Sequence, residues 1–130
     1  MTTPAQLETE TTLRTAVERY DELRARDSMA EEGSPQSLTK AEVLELLALS
    51  EVIARKAVYG RQLAVRTARK VGASWADIGR ALDTSRQAAW EAHTRWIDGQ
   101  AHQYEDSGYI GLSEDDTQAA RKLAGHLKDA

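Results

Sequence analysis

Apolar residues recur at intervals of three and four along most of the chain, and few segments alternate with the two-residue period of a strand. Leu7, Leu13, Val17, Tyr20 and Leu23 predict an N-terminal helix ending near Arg26. Thr3 stands at its cap, Pro4 at its first position, and Gln6 can close a capping box. Ser28 to Ser37, SMAEEGSPQS, has no period and contains Gly33 and Pro35, so it predicts a loop. Thr39 and Glu42 form a second capping box. The helix they open extends by pattern to Val71, about 32 residues and roughly 48 Å.

Between Val43 and Ile53 that helix is apolar almost all round, which predicts burial on several sides. The stripe Leu46, Leu49, Ile53, Ala57, Gly60, Ala64, Ala68, Val71 continues it with small residues. Gly60 costs up to ~1 kcal/mol against Ala inside a helix, so it predicts close packing or a break near Tyr59. Trp75, Ile78 and Leu82 then mark a short helix, with Ser74 and Asp77 spaced as a capping box. A further helix is predicted from Thr84 or Ser85 to near Gly99, with Thr84 and Gln87 as its box. Gln100 to Leu112 has no clear period. Ser113 caps a last helix with acidic residues in its first turn and Lys122 and Lys128 later, as the helix dipole favours. The fold class expected is all-α. The expected organisation is an N-terminal helix and linker over 1–36, a long helix plus paired short helices over 37–99, and a loop with a C-terminal helix over 100–130.

Two helices joined by three or four residues, with the small Gly79 on the inward side, form a helix-turn-helix pattern. The run Ile78-Gly79-Arg80-Ala81-Leu82-Asp83-Thr84-Ser85-Arg86-Gln87-Ala88-Ala89 resembles the helix-turn-helix of bacterial transcriptional regulators, in particular the SWADIG…SRQAAW form of actinobacterial regulators. It is also similar to the DNA-binding helices of sigma-factor region 4 and of resolvases. The resemblance covers about a quarter of the chain. It departs at Asp83, where such proteins mostly carry glycine, and at Thr84, where they mostly carry an aliphatic residue. The turn requires a left-handed backbone, which Asp tolerates better than most residues.

The resemblance implies that the second helix enters the major groove. Ser85, Arg86, Gln87, Trp90, Glu91 and Thr94 then face DNA. Arg86 is suited to guanine and Gln87 to adenine. Ser74, with the amides at the start of the first helix, and Arg69, Lys70 and Arg80 are placed to meet phosphates. Trp90 has three open fates: against DNA sugars, on the last helix, or in a dimer contact. Trp75 and Trp96 are expected to pack.

Composition changes this picture little. The 130 residues are 41% hydrophobic and 29% charged, with no Phe, so small Ala-rich helix contacts are expected rather than one large core. The absence of Cys removes disulfides and thiolate metal sites. No apolar run approaches the ~20 residues of a membrane span and no signal-peptide pattern opens the chain, so a cytoplasmic location is expected. Charge is more informative. The net charge of −4 conceals a basic middle: residues 55–95 carry nine basic and three acidic groups, while 1–36 carry four basic and eight acidic. Such a middle places a positive field over the paired helices.

His93, His102 and His126 lack metal-ligand spacing, and no nucleophile stands in a catalytic frame, so neither cofactor nor enzymatic activity is expected. Two function classes remain. One is a sequence-specific regulator that binds double-stranded DNA as a homodimer through the long helix, on half-sites about one turn, ~34 Å, apart. The other is a helical protein–protein adaptor whose flanking helices meet a partner and whose paired helices only pack.

Overall fold

A computed structural model describes residues 1–128. Among these the protein is all-α, with six helices and no strand. They are α1 (Pro4–Glu10), α2 (Leu13–Met29), α3 (Lys40–Lys70), α4 (Trp75–Ala81), α5 (Arg86–Ser107) and α6 (Glu114–Ala124). The chain gathers into two units, Met1–Gly60 and Arg61–Ala130, so the boundaries expected at 36 and 99 fall inside units. The division lies within α3.

Unit 1 holds α1, α2 and the first two thirds of α3. The single N-terminal helix expected is two. Thr12 and Thr15 exchange bonds across a capping box, Thr15 N–H to Thr12 Oγ1 at 3.1 Å and Thr12 N–H to Thr15 Oγ1 at 3.0 Å. That box restarts the chain and leaves Leu13 exposed, off the stripe. Leu7, Ala16, Leu23, Ala48, Leu49 and Val52 form the core. Two ion pairs join α2 to α3. Arg19 grips both oxygens of Glu45 at 2.9 Å, and Arg26 grips both oxygens of Glu42. Glu42 also closes the Thr39 capping box.

The expected burial of the Val43–Ile53 segment on several sides is corrected here. Leu47 is 60% exposed and Val43 is exposed as well, because only the face carrying Ala48, Leu49 and Val52 meets α1 and α2. Gly60 neither breaks α3 nor packs closely; a Cβ there would meet nothing within 4 Å. The later stripe is also shifted. Ala57, Gly60 and Ala64 are exposed and Val71 is 79% exposed, whereas Gln62 and Val65 turn inward.

Unit 2 holds the end of α3 with α4, α5 and α6. Its core is Val65, Trp75, Ile78, Ala89, Ile97, Ala120 and Ala124, with His93 and Thr117 buried beside them. α3 ends in a Schellman motif. Gly72 has φ +93°, Gly72 N–H bonds Arg69 O at 3.1 Å, and Ala73 N–H bonds Ala68 O at 2.9 Å. α5 is longer than the sequence pattern suggests. It passes Gly99 and runs to Ser107, where Gly108 at φ +80° stops it. Gly111 then lies so close to the Gln100 carbonyl that any side chain would collide with it, which turns the chain back into α6.

Candidate nucleic-acid interface

The join between α4 and α5 is built from local signals. Ser74 Oγ accepts from Asp77 N–H at 3.1 Å, and the Asp77 carboxylate accepts from Ser74 N–H at 3.0 Å. These bonds, with Arg80 beyond them, hold the Asp77 carboxyl below the usual carboxylate range. α4 ends in a second Schellman motif. Asp83 takes the left-handed position at φ +54°, Asp83 N–H bonds Arg80 O at 3.3 Å, and Thr84 N–H bonds Gly79 O at 2.9 Å. An ideal Cβ on Gly79 would stand 2.8 Å from Thr84 O and 3.0 Å from Arg86 N. Only glycine lets α4 meet the returning backbone this closely. Ser85, not Thr84, caps α5; its hydroxyl accepts from Ala88 N–H at 3.0 Å. The proposed Thr84–Gln87 box does not form, since Gln87 Nε2 bonds Glu91 Oε1 at 3.0 Å instead.

This frame leaves Ser85, Arg86 and Gln87 exposed together at the start of α5. No ion pair among the described residues holds Arg86. Glu91 is half-buried behind them, and Thr94 Oγ1 is turned back onto Glu91 O at 2.9 Å. Lys70 is exposed at the end of α3. Arg80 is exposed on α4 and pairs with Asp77 one turn back. Ser74 is half-buried, with its hydroxyl occupied by the cap.

Arg69 and Trp90 have other duties. The last carbonyls of α6 have no partner within the helix. Arg69 Nε reaches Leu123 O at 3.3 Å, Trp75 Nε1 reaches Ala124 O at 2.8 Å, and Trp90 Nε1 reaches Gly125 O at 3.0 Å. Arg69 also bonds Ala73 O at 2.9 Å and lies 5.1 Å from the Trp75 ring centroid. Its guanidinium therefore fastens the end of α3 to α6, and a phosphate would have to displace those bonds. Of the three fates open to Trp90, packing on the C-terminal segment is the one observed. Trp75 is buried and Trp96 is half-buried, as expected for packing residues.

His93 completes the interior. It is 1% exposed, its ring stacks 5.5 Å from Trp96, and Nδ1 lies 2.8 Å from Gln62 Oε1, to which it donates. Burial, then Arg66 and Arg69, push its pKa down to about 4, so the imidazole is neutral at pH 7. Among the described residues no cluster of His, Asp and Glu could hold a metal ion, and no helix is long and apolar enough to cross a membrane.

Sequence reasoning missed Arg121 and Lys122 as neighbours of this surface. Both line a groove with Trp90, Thr94 and Asp98 of α5. Nothing in the local pattern signals that approach, because it depends on the reversal at Gly108–Leu112. No protein-family model, curated protein or solved structure matches the chain.

Proposed function

We propose that the chain binds double-stranded DNA sequence-specifically, as a cytoplasmic homodimeric regulator of transcription, with α5 as the reading helix. The observation that carries this reading is the exposed Ser85–Arg86–Gln87 turn, set on a frame that only glycine at 79 and a left-handed residue at 83 allow. An α-helix fits the major groove, and a fixed first turn presents Arg86 to guanine N7 and O6 and Gln87 to adenine. Gln87 gives up its bond to Glu91 when it does so. Lys70 and Arg80 precede this turn in sequence and are exposed, which suits phosphate contacts. Ser74 contributes through the cap rather than through a free hydroxyl. Arg69, Trp90 and Thr94 support the reading helix and do not read.

The homodimer rests on α3. Val43, Leu47 and Val58 are exposed on one long helix, a row of apolar side chains that a second copy would cover. The same row favours the second reading, a helical adaptor that takes a protein partner there without DNA.

Selection of bound sequences from random duplexes, followed by a salt titration, separates the two. The DNA reading expects an enriched motif in paired half-sites and an affinity that falls steeply with salt. No enrichment with a flat salt response would leave the adaptor.

A further inference from the structure

Charge on α5 and α6 is polarised. The first twelve residues of α5 carry Arg86 and Arg95 against Glu91, and its last ten carry Asp98, Glu105 and Asp106. α6 carries Glu114, Asp115 and Asp116 in its first turn and Arg121 and Lys122 in its last. The three bonds from Arg69, Trp75 and Trp90 to successive carbonyls fix that cationic end of α6. It lies in the groove beside Trp90 and Thr94, on the α5 stripe that continues from Arg86 and Gln87. Arg121 is occupied there by Asp98 at 3.0 Å. Lys122 is exposed, and no carboxylate pairs with it among the described residues.

We propose that Lys122 of α6 is a second DNA contact, holding a backbone phosphate beside α5, and that Trp90 is the residue that positions it. This rests on the reading of α5 above. A lysine ammonium is a compact charge on a flexible stem, suited to a phosphate and poorly suited to bidentate base recognition. The C-terminal third of the chain, acidic overall, thereby joins the interface through its one cationic end. Glu114, Asp115 and Asp116 stand at the opposite end of α6.

The test is a salt titration of binding to a selected duplex and to a random duplex. Lys122→Gln is expected to lower the slope of log K against log salt by about 0.9, the counterion released by one phosphate. It should weaken both duplexes alike, by roughly fivefold to tenfold at 0.1 M salt, and leave their ratio unchanged. Lys122→Arg should keep the wild-type slope, and so should Lys40→Gln in unit 1. Trp90→Phe retains an aromatic ring but loses the N–H bond to Gly125, and should shift the slope in the direction of Lys122→Gln. Circular dichroism checks that each variant is folded. A steep wild-type slope matched by Lys122→Gln overturns this contact and leaves the α5 reading standing. A wild-type protein indifferent to duplex DNA overturns the α5 reading, and this contact with it.

Discussion

The two units are held by different means. Unit 1 has a core of Leu, Val and Ala without an aromatic or polar member, closed by two Arg–Glu pairs. Over residues 1–60 it carries seven basic and eleven acidic groups, whereas residues 61–130 carry ten of each. Unit 2 packs Trp75 and His93 at its centre, where Trp75 Nε1 and His93 Nδ1 are consumed in bonds between elements. Aliphatic burial is non-directional, so unit 1 specifies little beyond which face turns inward. Indole and imidazole bonds are directional, so unit 2 fixes where α6 ends against α5. The unit that carries the candidate interface is the one whose interior is positioned by hydrogen bonds. All three tryptophans lie in unit 2, so their fluorescence reports on it alone.

The largest effect expected is from Trp75→Ala. It empties a site that is 1% exposed, strips the Ala124 carbonyl and removes the ring beneath Arg69. Unit 2 should lose ~3–5 kcal/mol in urea unfolding followed by the fluorescence of Trp90 and Trp96. A loss below ~1 kcal/mol would mean that this aromatic centre does not hold the unit.

Acid should separate the units next. His93 is held near pKa 4 in the fold against 6.5 for an ordinary histidine, so the unfolded chain binds the proton more readily. Unit 2 keeps this contribution above pH 6.5 and loses it as pH falls toward 4, on the order of 3 kcal/mol in full. In unit 1 the hydrogen bonds from Arg26, then Thr39, hold Glu42 down to about 2, and Arg19 lowers Glu45. Their contribution is lost only below about pH 4.5. Tryptophan-detected stability should therefore fall between pH 7 and pH 5, and a stability unchanged over that range would contradict a neutral buried His93.

Gly79→Ala should have a smaller effect on stability. The clash is with backbone, which cannot rotate away, so the turn must open. Overpacking of this kind costs ~1–3 kcal/mol, offset in part by the better helix propensity of Ala. DNA affinity should fall further than stability does, and a variant of full affinity would show that the spacing of α4 and α5 is immaterial. Smallest is Arg26→Gln. The Arg26–Glu42 pair is partly exposed and solvent screens such pairs, so its urea midpoint by circular dichroism should barely move. A large shift would make unit 1 dependent on charge rather than on aliphatic burial.

The features legible in the sequence are those whose partners lie a few residues apart. Ser74 and Asp77, the left-handed Asp83 and the inward Gly79 all act on residues no more than seven positions away, and each takes the position expected. Features that depend on distant partners were not legible. The Arg19–Glu45 pair spans 26 residues and the Trp75–Ala124 bond spans 49. Arg69 looks like a surface cation until α6 arrives to claim it. The phase of α3 beyond Ile53 misleads because Ala and Gly are tolerated on both the inward and the outward face, while Gln62 turns inward to meet His93. The break at Thr12 falls in the polar run from Glu8 to Thr12, where threonine serves equally as a helix residue and as a cap, so the run does not mark it.

The reading of α5 stands most directly on Arg86, the exposed residue that opens it. The decisive measurement is the ratio of affinities for a selected and a random duplex, taken for wild type and for Arg86→Ala at one salt concentration. A bidentate guanine contact is worth ~1–3 kcal/mol of discrimination. Arg86→Ala should therefore reduce that ratio by about tenfold or more while circular dichroism stays unchanged. A ratio equal to that of wild type would show that α5 does not read sequence through its first turn.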